Sequence, residues 1–277
     1  METRHSAASC VSGIDEAEEQ MIDAVPVFQT PSPKIRLIPI DRPWLWLAEG
    51  WRDLLRAPGV SVAYGGLLVG ISLALALALY LFDLLYLLLP LTAGFMFVAP
   101  LLAVGLYETS RRLASNEPVS LEAALSSWRR NPGQLSMLGT ILMLFHLAWV
   151  RVAMLLYPLF FQGPNPSLGN LPDILFFSPM SLPFLVTGTA IGAVLASLVF
   201  AITAVSIPML IDRNVGVVTA VATSFVAVRH NWQAMTLWAA LIVFFTGFGL
   251  VAFFVGLAFA VPLVGHATWH CYKDVVE

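Results

Sequence analysis

Long runs of apolar residues, separated by short polar segments, fill the chain from residue 61 onward. The runs cover residues 61–82, 84–107, 134–161, 184–211 and 232–272, and Gly247-Phe248-Gly249 marks the favoured turn within the last of them. A membrane-spanning helix needs about 20 apolar residues. The pattern therefore predicts an all-α, polytopic membrane protein with six transmembrane helices, or five if residues 232–272 form one span.

Composition supports this interpretation. The chain has 277 residues, of which 58% are hydrophobic and 11% are charged, and its mean hydropathy is +0.82. A soluble domain carries about 25% charged residues, so a cytosolic enzyme is excluded. The net charge of -3 comes without a basic tract, which argues against nucleic-acid binding. The two cysteines, Cys10 and Cys271, offer neither a disulfide framework nor a CxxC metal site.

Two regions follow from the polarity of the chain. Residues 1–39 are polar, acidic and rich in proline, without the apolar segment of a secretory signal, and we expect a disordered cytosolic tail there. Residues 40–277 form the predicted six-span membrane domain.

Basic residues fix the predicted orientation. With the N-terminus inside, the cytosolic segments hold every Lys and Arg except Arg151, as the positive-inside rule requires. Both termini are then cytoplasmic. Six tryptophans lie on the same side and are expected to anchor at the membrane interface: Trp44, Trp46, Trp51, Trp128, Trp232 and Trp269.

A weak internal repeat accompanies the spans. Residues 48–59 align with residues 122–133 and, more faintly, with residues 222–233, and each copy precedes two apolar segments. The second segment of each pair carries a proline near its cytosolic end: Pro100, Pro208 and Pro262. We interpret these as three hairpin repeats, each preceded by a cytosolic interfacial helix. Chance similarity among apolar sequences is the competing explanation.

Periodicity predicts how the interfacial helices lie. In the first, the apolar stripe comprises Trp44, Leu47, Ala48, Trp51 and Leu55, and the water-facing side comprises Glu49, Arg52, Asp53 and Arg56. Asp41 is the expected N-cap of this helix, and Ser120 that of the second. The third is too apolar for the interface and is expected to be buried among the spans.

Four ionisable residues near or within the spans are candidate functional groups. His146 is the most interior; it suits a haem or metal ligand or a proton path, although a hydrogen bond to another helix is the simpler interpretation. Arg151 is expected to extend to the outer headgroups. Glu108 and Asp212 lie beside arginines, where salt bridging between repeats competes with proton coupling.

The last apolar segment ends with His266 and His270, which are one helical turn apart. That spacing allows two imidazoles to bind one metal ion. Two ligands are incomplete for zinc, so we favour interfacial packing and hydrogen bonding, and we predict no cofactor.

Small residues at four-residue intervals predict close helix packing. Gly188, Gly192 and Ala196 form one such stripe in the fourth span, and Gly66 and Gly70 form another in the first.

Three ordered motifs resemble a bacterial integral-membrane family, domain of unknown function 2189. They lie at Pro90–Arg112, Pro208–Gly216 and Pro262–Asp274, and the likeness spans roughly residues 35–277. The resemblance implies a six-span protein of the bacterial inner membrane. Family members are often labelled putative cytochrome c oxidase subunits, but a haem-copper subunit needs about a dozen spans and more histidines, so the label implies at most an accessory or assembly role.

The sequence supports two competing hypotheses about function. The first hypothesis is a non-catalytic accessory, assembly or scaffold component that binds the lipid bilayer and a membrane-protein partner or a second copy of itself. The alternative is a small transporter or channel built from three helical-hairpin repeats, although transporters more often use inverted repeats. A membrane enzyme is disfavoured because the sequence shows no nucleophile–base pair or carboxylate constellation.

Overall fold

The structure, a computed structural model, describes residues 33–161, 173–252 and 254–277. Within these ranges the chain is helical apart from its connections and one isolated bridge between Ile35 and Val276. The helices are α1 (Arg42–Arg56), α2 (Pro58–Leu81), α3 (Leu88–Leu102), α4 (Val104–Ala114), α5 (Leu121–Leu125), α6 (Pro132–Phe160), α7 (Ser181–Thr203), α8 (Ser206–Asp212), α9 (Val217–His230), α10 (Trp232–Val251) and α11 (Leu257–Val275). Short helical turns occupy Leu85–Leu87, Ser127–Arg130 and Asp173–Phe177.

Five stretches in the described part of the chain are long and apolar enough to cross a membrane. They are Pro58–Leu81, Leu85–Ala114, Pro132–Phe160, Ser181–Asp212 and Trp232–Val251. The predicted sixth span, α11, does not reach this standard, because its second half is polar. The last apolar run is nevertheless two helices, and the turn includes residues 252 and 254–256 rather than Gly247-Phe248-Gly249 as predicted.

Two of the long stretches are broken near their basic ends. Ala103, three residues after Pro100, interrupts the helix between α3 and α4. Proline has no N–H and cannot complete the backbone hydrogen bond to the preceding turn. Residues 204 and 205 separate α7 from α8. Pro208 lies in the first turn of α8, where a backbone N–H has no partner within the helix and its absence costs no hydrogen bond. In α11, Pro262 is accommodated without a break.

Helix α1 buries a different face from the one predicted. Trp46, Leu47 and Leu54 pack into the protein, and Asp53, predicted to face water, is buried with them. Trp44 and Trp51 point outward. The helix therefore has two apolar faces, one against the protein and one exposed, and the exposed face suits the headgroup region of a membrane.

The tryptophan and capping predictions are correct only in part. Trp44, Trp51, Trp128 and Trp232 are exposed, whereas Trp46 and Trp269 are core residues. Ser120 caps α5 by accepting a hydrogen bond from the Ala123 N–H at 3.1 Å. Asp41 lies at the start of α1, but its side chain makes no capping bond. Helix α9, predicted to be buried among the spans, is buried along one face only, and Val218 and Phe225 on its other side are exposed.

The two ends of the described chain lie side by side. The Arg36 N–H donates to the Val275 carbonyl at 2.9 Å, and the Glu277 N–H donates to the Lys34 carbonyl at 3.0 Å. The Ile38 N–H donates to Asn231 Oδ1 at 2.9 Å. Residues 34–38, which we predicted as part of a disordered tail, are thus held by hydrogen bonds. Residues 1–32 of the predicted tail lie outside the described residues, as do residues 162–172 of the proline-rich loop.

The α10–α11 hairpin is short relative to its neighbour α2. Helix α11 crosses α2 where Gly65 touches the carbonyl of Ala258, close to the first residue of α11. At 1.5 Å per residue, α2 continues for about 24 Å beyond that crossing. The turn of the hairpin therefore lies part of the way along α2.

Candidate functional site

A chain of buried polar side chains connects four helices at the basic end. Ser61 of α2 lies 2.9 Å from His266 Nε2, and His266 Nδ1 lies 2.8 Å from Ser110 of α4. The Ser110 hydroxyl donates to Asp53 Oδ2 of α1 at 2.7 Å. His270 Nε2 approaches the same oxygen at 2.8 Å. We call these five residues the polar chain.

The proton positions in the polar chain follow from its donors. Because Ser110 donates its only proton to Asp53, it can only accept from His266, so the Nδ1 of His266 carries a proton. A neutral imidazole then accepts at Nε2, and Ser61 is its donor. The polar chain is therefore one directed series of hydrogen bonds that ends on the Asp53 carboxylate.

Asp53 is the electrostatic centre of this arrangement. It is 3% exposed, and burial raises the pKa of its carboxyl. The hydrogen bonds from His270 and Ser110, together with the electrostatic attraction of the histidines, lower the pKa by more, so the net shift is downward. His270 also faces Glu49, with Nδ1 at 3.2 Å from Oε2. The carboxylate is thus held ionised inside the protein.

The two histidines that suggested a metal site meet different partners. His266 lies between two serines, and His270 lies between Asp53 and Glu49. Among the described residues, no group of three or more His, Cys, Asp or Glu side chains is placed to hold a metal ion.

Sequence reasoning missed the pairing of Ser61 with His266. This pair has the geometry of a nucleophile and its base, contrary to the statement that the sequence holds no such pair. The two residues are 205 positions apart in the chain, and only the packing of α11 on α2 brings them together. Both side chains are 0% exposed, so a substrate has no access to the hydroxyl.

A second buried carboxylate, Glu108, lies at the same end of the molecule. It accepts hydrogen bonds from Arg111 at 2.8 Å and from Arg112 at 2.7 Å, and Arg130 lies 3.5 Å away. Arg111 also binds Glu117. Arg130 belongs to the segment before α6, so this cluster joins two of the predicted repeats.

Asp212 ties the end of α8 to the end of α11. Its carboxylate accepts from the Tyr272 hydroxyl at 2.7 Å and from Lys273 at 3.2 Å. Arg213 donates to the Tyr272 hydroxyl and to the carbonyl of Glu277. Both carboxylates predicted near the span ends thus take part in ion pairs or hydrogen bonds that cross between elements.

The intramembrane residues lie apart from the polar chain. His146 Nδ1 lies 3.0 Å from the carbonyl of Gly94 in α3, which is the interhelical hydrogen bond of the simpler interpretation. One turn further, Trp149 donates to the Pro90 carbonyl at 2.9 Å. Arg151 is exposed on α6.

Only one of the two small-residue stripes packs inside the chain. A methyl group at Gly192 would lie 3.1 Å from the Trp149 ring, so α7 approaches α6 closely there, and Gly188 faces Leu156 more loosely. Gly66 and Gly70 face open space, so the packing predicted for them is not made within the described residues and stays a prediction. The close approach on α2 occurs at the neighbouring Gly65 instead.

A groove opens on the side of the molecule between α7 and α10. Its volume is about 740 Å³, its floor is formed by α3, α4 and α11, and its walls are largely apolar. The third predicted stripe residue, Ala196, lines it. We call it the lateral groove. The residues of the polar chain do not line it.

Comparison with known proteins identifies one family. The chain matches the family model of domain of unknown function 2189, described as a predicted integral membrane protein, over residues 88–212. The predicted family resemblance is confirmed. No curated protein and no solved structure matches the chain.

The matched residues run from α3 to the end of α8. They include the Pro90–Arg112 motif, Glu108 with its arginines, and the first half of the Pro208–Gly216 motif. The likeness of Pro262–Asp274 to the family lies outside the match and stays a prediction. The chain is therefore an integral membrane protein, and the family description supplies no molecular function.

Proposed function

We propose that this protein is a non-catalytic accessory or scaffold component that docks a transmembrane helix of another membrane protein, or of a second copy, against α2. The observation that carries the proposal is the stripe of Gly66 and Gly70, which has no neighbour within the described chain. In hydrocarbon, small residues favour association because they allow close contact between helix backbones. Beyond the crossing at Gly65, α2 offers such a face.

The contacts of the buried polar side chains support the non-catalytic part of the proposal. The Ser61 hydroxyl is sealed in the polar chain, and Glu108 is enclosed by arginines. In the described residues these groups bind other side chains of the protein instead of lining the lateral groove. Such a closed network suits a rigid platform better than a reaction site.

We further propose that α10 and α11 form a re-entrant hairpin, which enters and leaves the membrane on the cytoplasmic side. Four stretches would then cross fully, in place of the six predicted. The pairing of residues 34–36 with the C-terminal end requires both ends on one side, and the basic residues favour the cytoplasm. The location of the hairpin turn, about 24 Å short of the end of α2, supports the shallow insertion.

The chemistry of the hairpin turn fits a place inside the bilayer. Phe248, Val251 and Val255 are exposed there, and the chain has no charged residue between Arg229 and Lys273. A turn in lipid must satisfy its own backbone donors. The N–H groups of residues 252, 254, 255, 257 and 258 all donate to carbonyls of the same hairpin.

Labelling with a membrane-impermeant maleimide tests the hairpin. In a chain with Cys10→Ser and Cys271→Ala, we expect Val255→Cys to resist labelling from either side and Asp83→Cys to be labelled from outside. Labelling of Val255→Cys from outside would show that α10 and α11 cross fully.

Docking on α2 is tested with a double variant, Gly66→Leu with Gly70→Leu, analysed by blue-native electrophoresis and mass spectrometry. We expect the wild type to migrate with a reproducible membrane partner or as a dimer, and the variant to lose that species. Gly247→Leu is the matched control, because Gly247 also faces open space but lies on α10. Migration of the wild type only as a free monomer would reject the proposal.

The transporter alternative has one observation in its favour. The breaks at Ala103 and at residues 204 and 205 both fall near the basic end of the second apolar segment of a unit, and interrupted helices are typical of transporters. Ala103 and Ala204 both line the lateral groove. This arrangement is also the best support for the proposed hairpin repeats. Ion or solute flux in proteoliposomes, absent from empty vesicles, would favour transport over the scaffold.

A further inference from the structure

The lateral groove follows α10 from Trp232 to Thr246, a distance of about 21 Å at 1.5 Å per residue. We propose that it binds one anionic phospholipid of the membrane, with an acyl chain in the groove and the phosphate group beside Arg229. The proposal does not rest on the scaffold function, because the groove and the α2 stripe are separate surfaces.

The size of the groove selects an acyl chain over a helix. A helix with side chains is at least 10 Å wide, so a 21 Å length of it occupies roughly 1600 Å³. The groove offers about 740 Å³. Small side chains, Ala196 on one wall and Ala239 and Ala240 on the other, leave open space along it and give it the form of an elongated channel. A single flexible hydrocarbon chain matches that form.

The groove has a hydrogen-bond donor near its basic end. Tyr107 of α4 lines the groove, is 3% exposed, and makes no hydrogen bond through its hydroxyl to the described residues. An unpaired hydroxyl in an apolar environment is costly. The ester carbonyls of a phospholipid lie just below its headgroup and are acceptors that this hydroxyl can use.

Charge at the mouth of the groove favours an anionic headgroup. Val228 and Trp232 line the mouth, and Arg229 between them is exposed, without an ion pair to a carboxylate of the described chain. Trp232 is 63% exposed, as expected of an aromatic side chain at the level of the headgroups. A basic residue near a membrane surface attracts anionic lipids.

Native mass spectrometry tests the proposal on the full chain. The protein is reconstituted in nanodiscs with equal amounts of phosphatidylglycerol and phosphatidylethanolamine, then released into a mild detergent. We expect one retained phospholipid per chain, with phosphatidylglycerol enriched about fivefold, the preference of a single basic residue.

Blocking variants locate the lipid. Ala196→Trp fills the groove and should remove the retained lipid, whereas Leu198→Trp, on the opposite and exposed side of the same helix, should not. Ala240→Trp on the opposite wall is the second blocking variant, should Ala196→Trp fail to fold. Equal retention by all three tryptophan variants would overturn the proposal.

Headgroup and ester contacts are tested separately. Arg229→Gln should keep the lipid but lose the preference for phosphatidylglycerol, and Arg52→Gln, at another exposed arginine, should keep both. Tyr107→Phe should lower retention without changing the preference. A dimer or a protein partner that disappears with Ala196→Trp, or a wild-type protein without bound phospholipid, would overturn the proposal.

Discussion

The two ends of the membrane domain are held together by different interactions. The basic end carries Asp53 and Glu108 with its arginines, and the far end carries His146 and Trp149. At the basic end, Asp53 and Glu108 are buried at 3% and 1% exposure, and each is bound by several side chains. At the far end, polar contacts are few, and His146 and Trp149 bind backbone carbonyls. Hydrocarbon provides no hydrophobic force between helices, so close backbone approach replaces it there. Near water, paired charges fix the arrangement.

The largest expected effect is at Glu108. Glu108→Gln removes the charge that Arg111, Arg112 and Arg130 share, and leaves their guanidinium groups close together. Breaking a buried ion pair costs about 3–5 kcal/mol, and the partial exposure of the arginines favours the lower figure. We expect the free energy of unfolding in detergent to fall by about 3 kcal/mol.

Glu122→Gln is the control for that measurement, because Glu122 is exposed and makes no ion pair with the described residues. Its effect should stay within about 0.5 kcal/mol. Equal stability of the two variants would show that the basic end does not depend on buried charge.

A smaller effect is expected at the far end, from Gly94→Ala. The added methyl group would lie 2.7 Å from the His146 ring and would push apart the hydrogen bond to the Gly94 carbonyl. Overpacking of this kind costs about 1–3 kcal/mol. Thermal unfolding in detergent should show a lower Tm for this variant.

Two further variants sharpen this prediction. Gly70→Ala has open space around the new methyl group and should not lower the Tm. Adding His146→Ala to Gly94→Ala should relieve the clash, so the double variant should lose less stability than the two single changes combined. Full additivity would contradict the proposed contact.

At the far end, the sequence predicted the positions of the long helices better than the contacts between them. Apolar runs located the long helices, because the length of a span is fixed by the thickness of the bilayer. The contact on α2 falls at Gly65, however, one residue away from the predicted stripe. A stripe of small residues shows that a helix can be approached, but the position of the approaching helix depends on tertiary packing.

At the basic end, the residue types were predictable and their partners were not. His266 and His270 were recognised by their spacing, yet Ser61, Ser110 and Asp53 join them from three other helices. Asp53 was assigned to the water-facing side because its neighbours in the sequence are charged. Its burial depends on α11, which packs against α1 from Arg42 to Asp53, and sequence periodicity does not reveal which face of α1 meets that helix.

The smallest expected effect concerns the pH dependence of the basic end. The pKa of Asp53 is lower in the folded protein than the ordinary value of 3.8, because the hydrogen bonds from His270 and Ser110 and the attraction of the histidines together outweigh the effect of burial. Its stabilising contribution is therefore complete above pH 3.8 and is lost as the pH falls through the lower folded-state pKa.

One proton changes the free energy of unfolding by at most about 1.4 kcal/mol per pH unit. Asp53→Asn should make the decline of stability below about pH 3.8 shallower than in the wild type. Asp41→Asn, at an exposed carboxylate on the same helix end, should leave the slope unchanged. Equal slopes for wild type and Asp53→Asn would mean that the polar chain does not hold Asp53 ionised, and the contrast between a charge-paired end and a close-packed end would then rest on Glu108 alone.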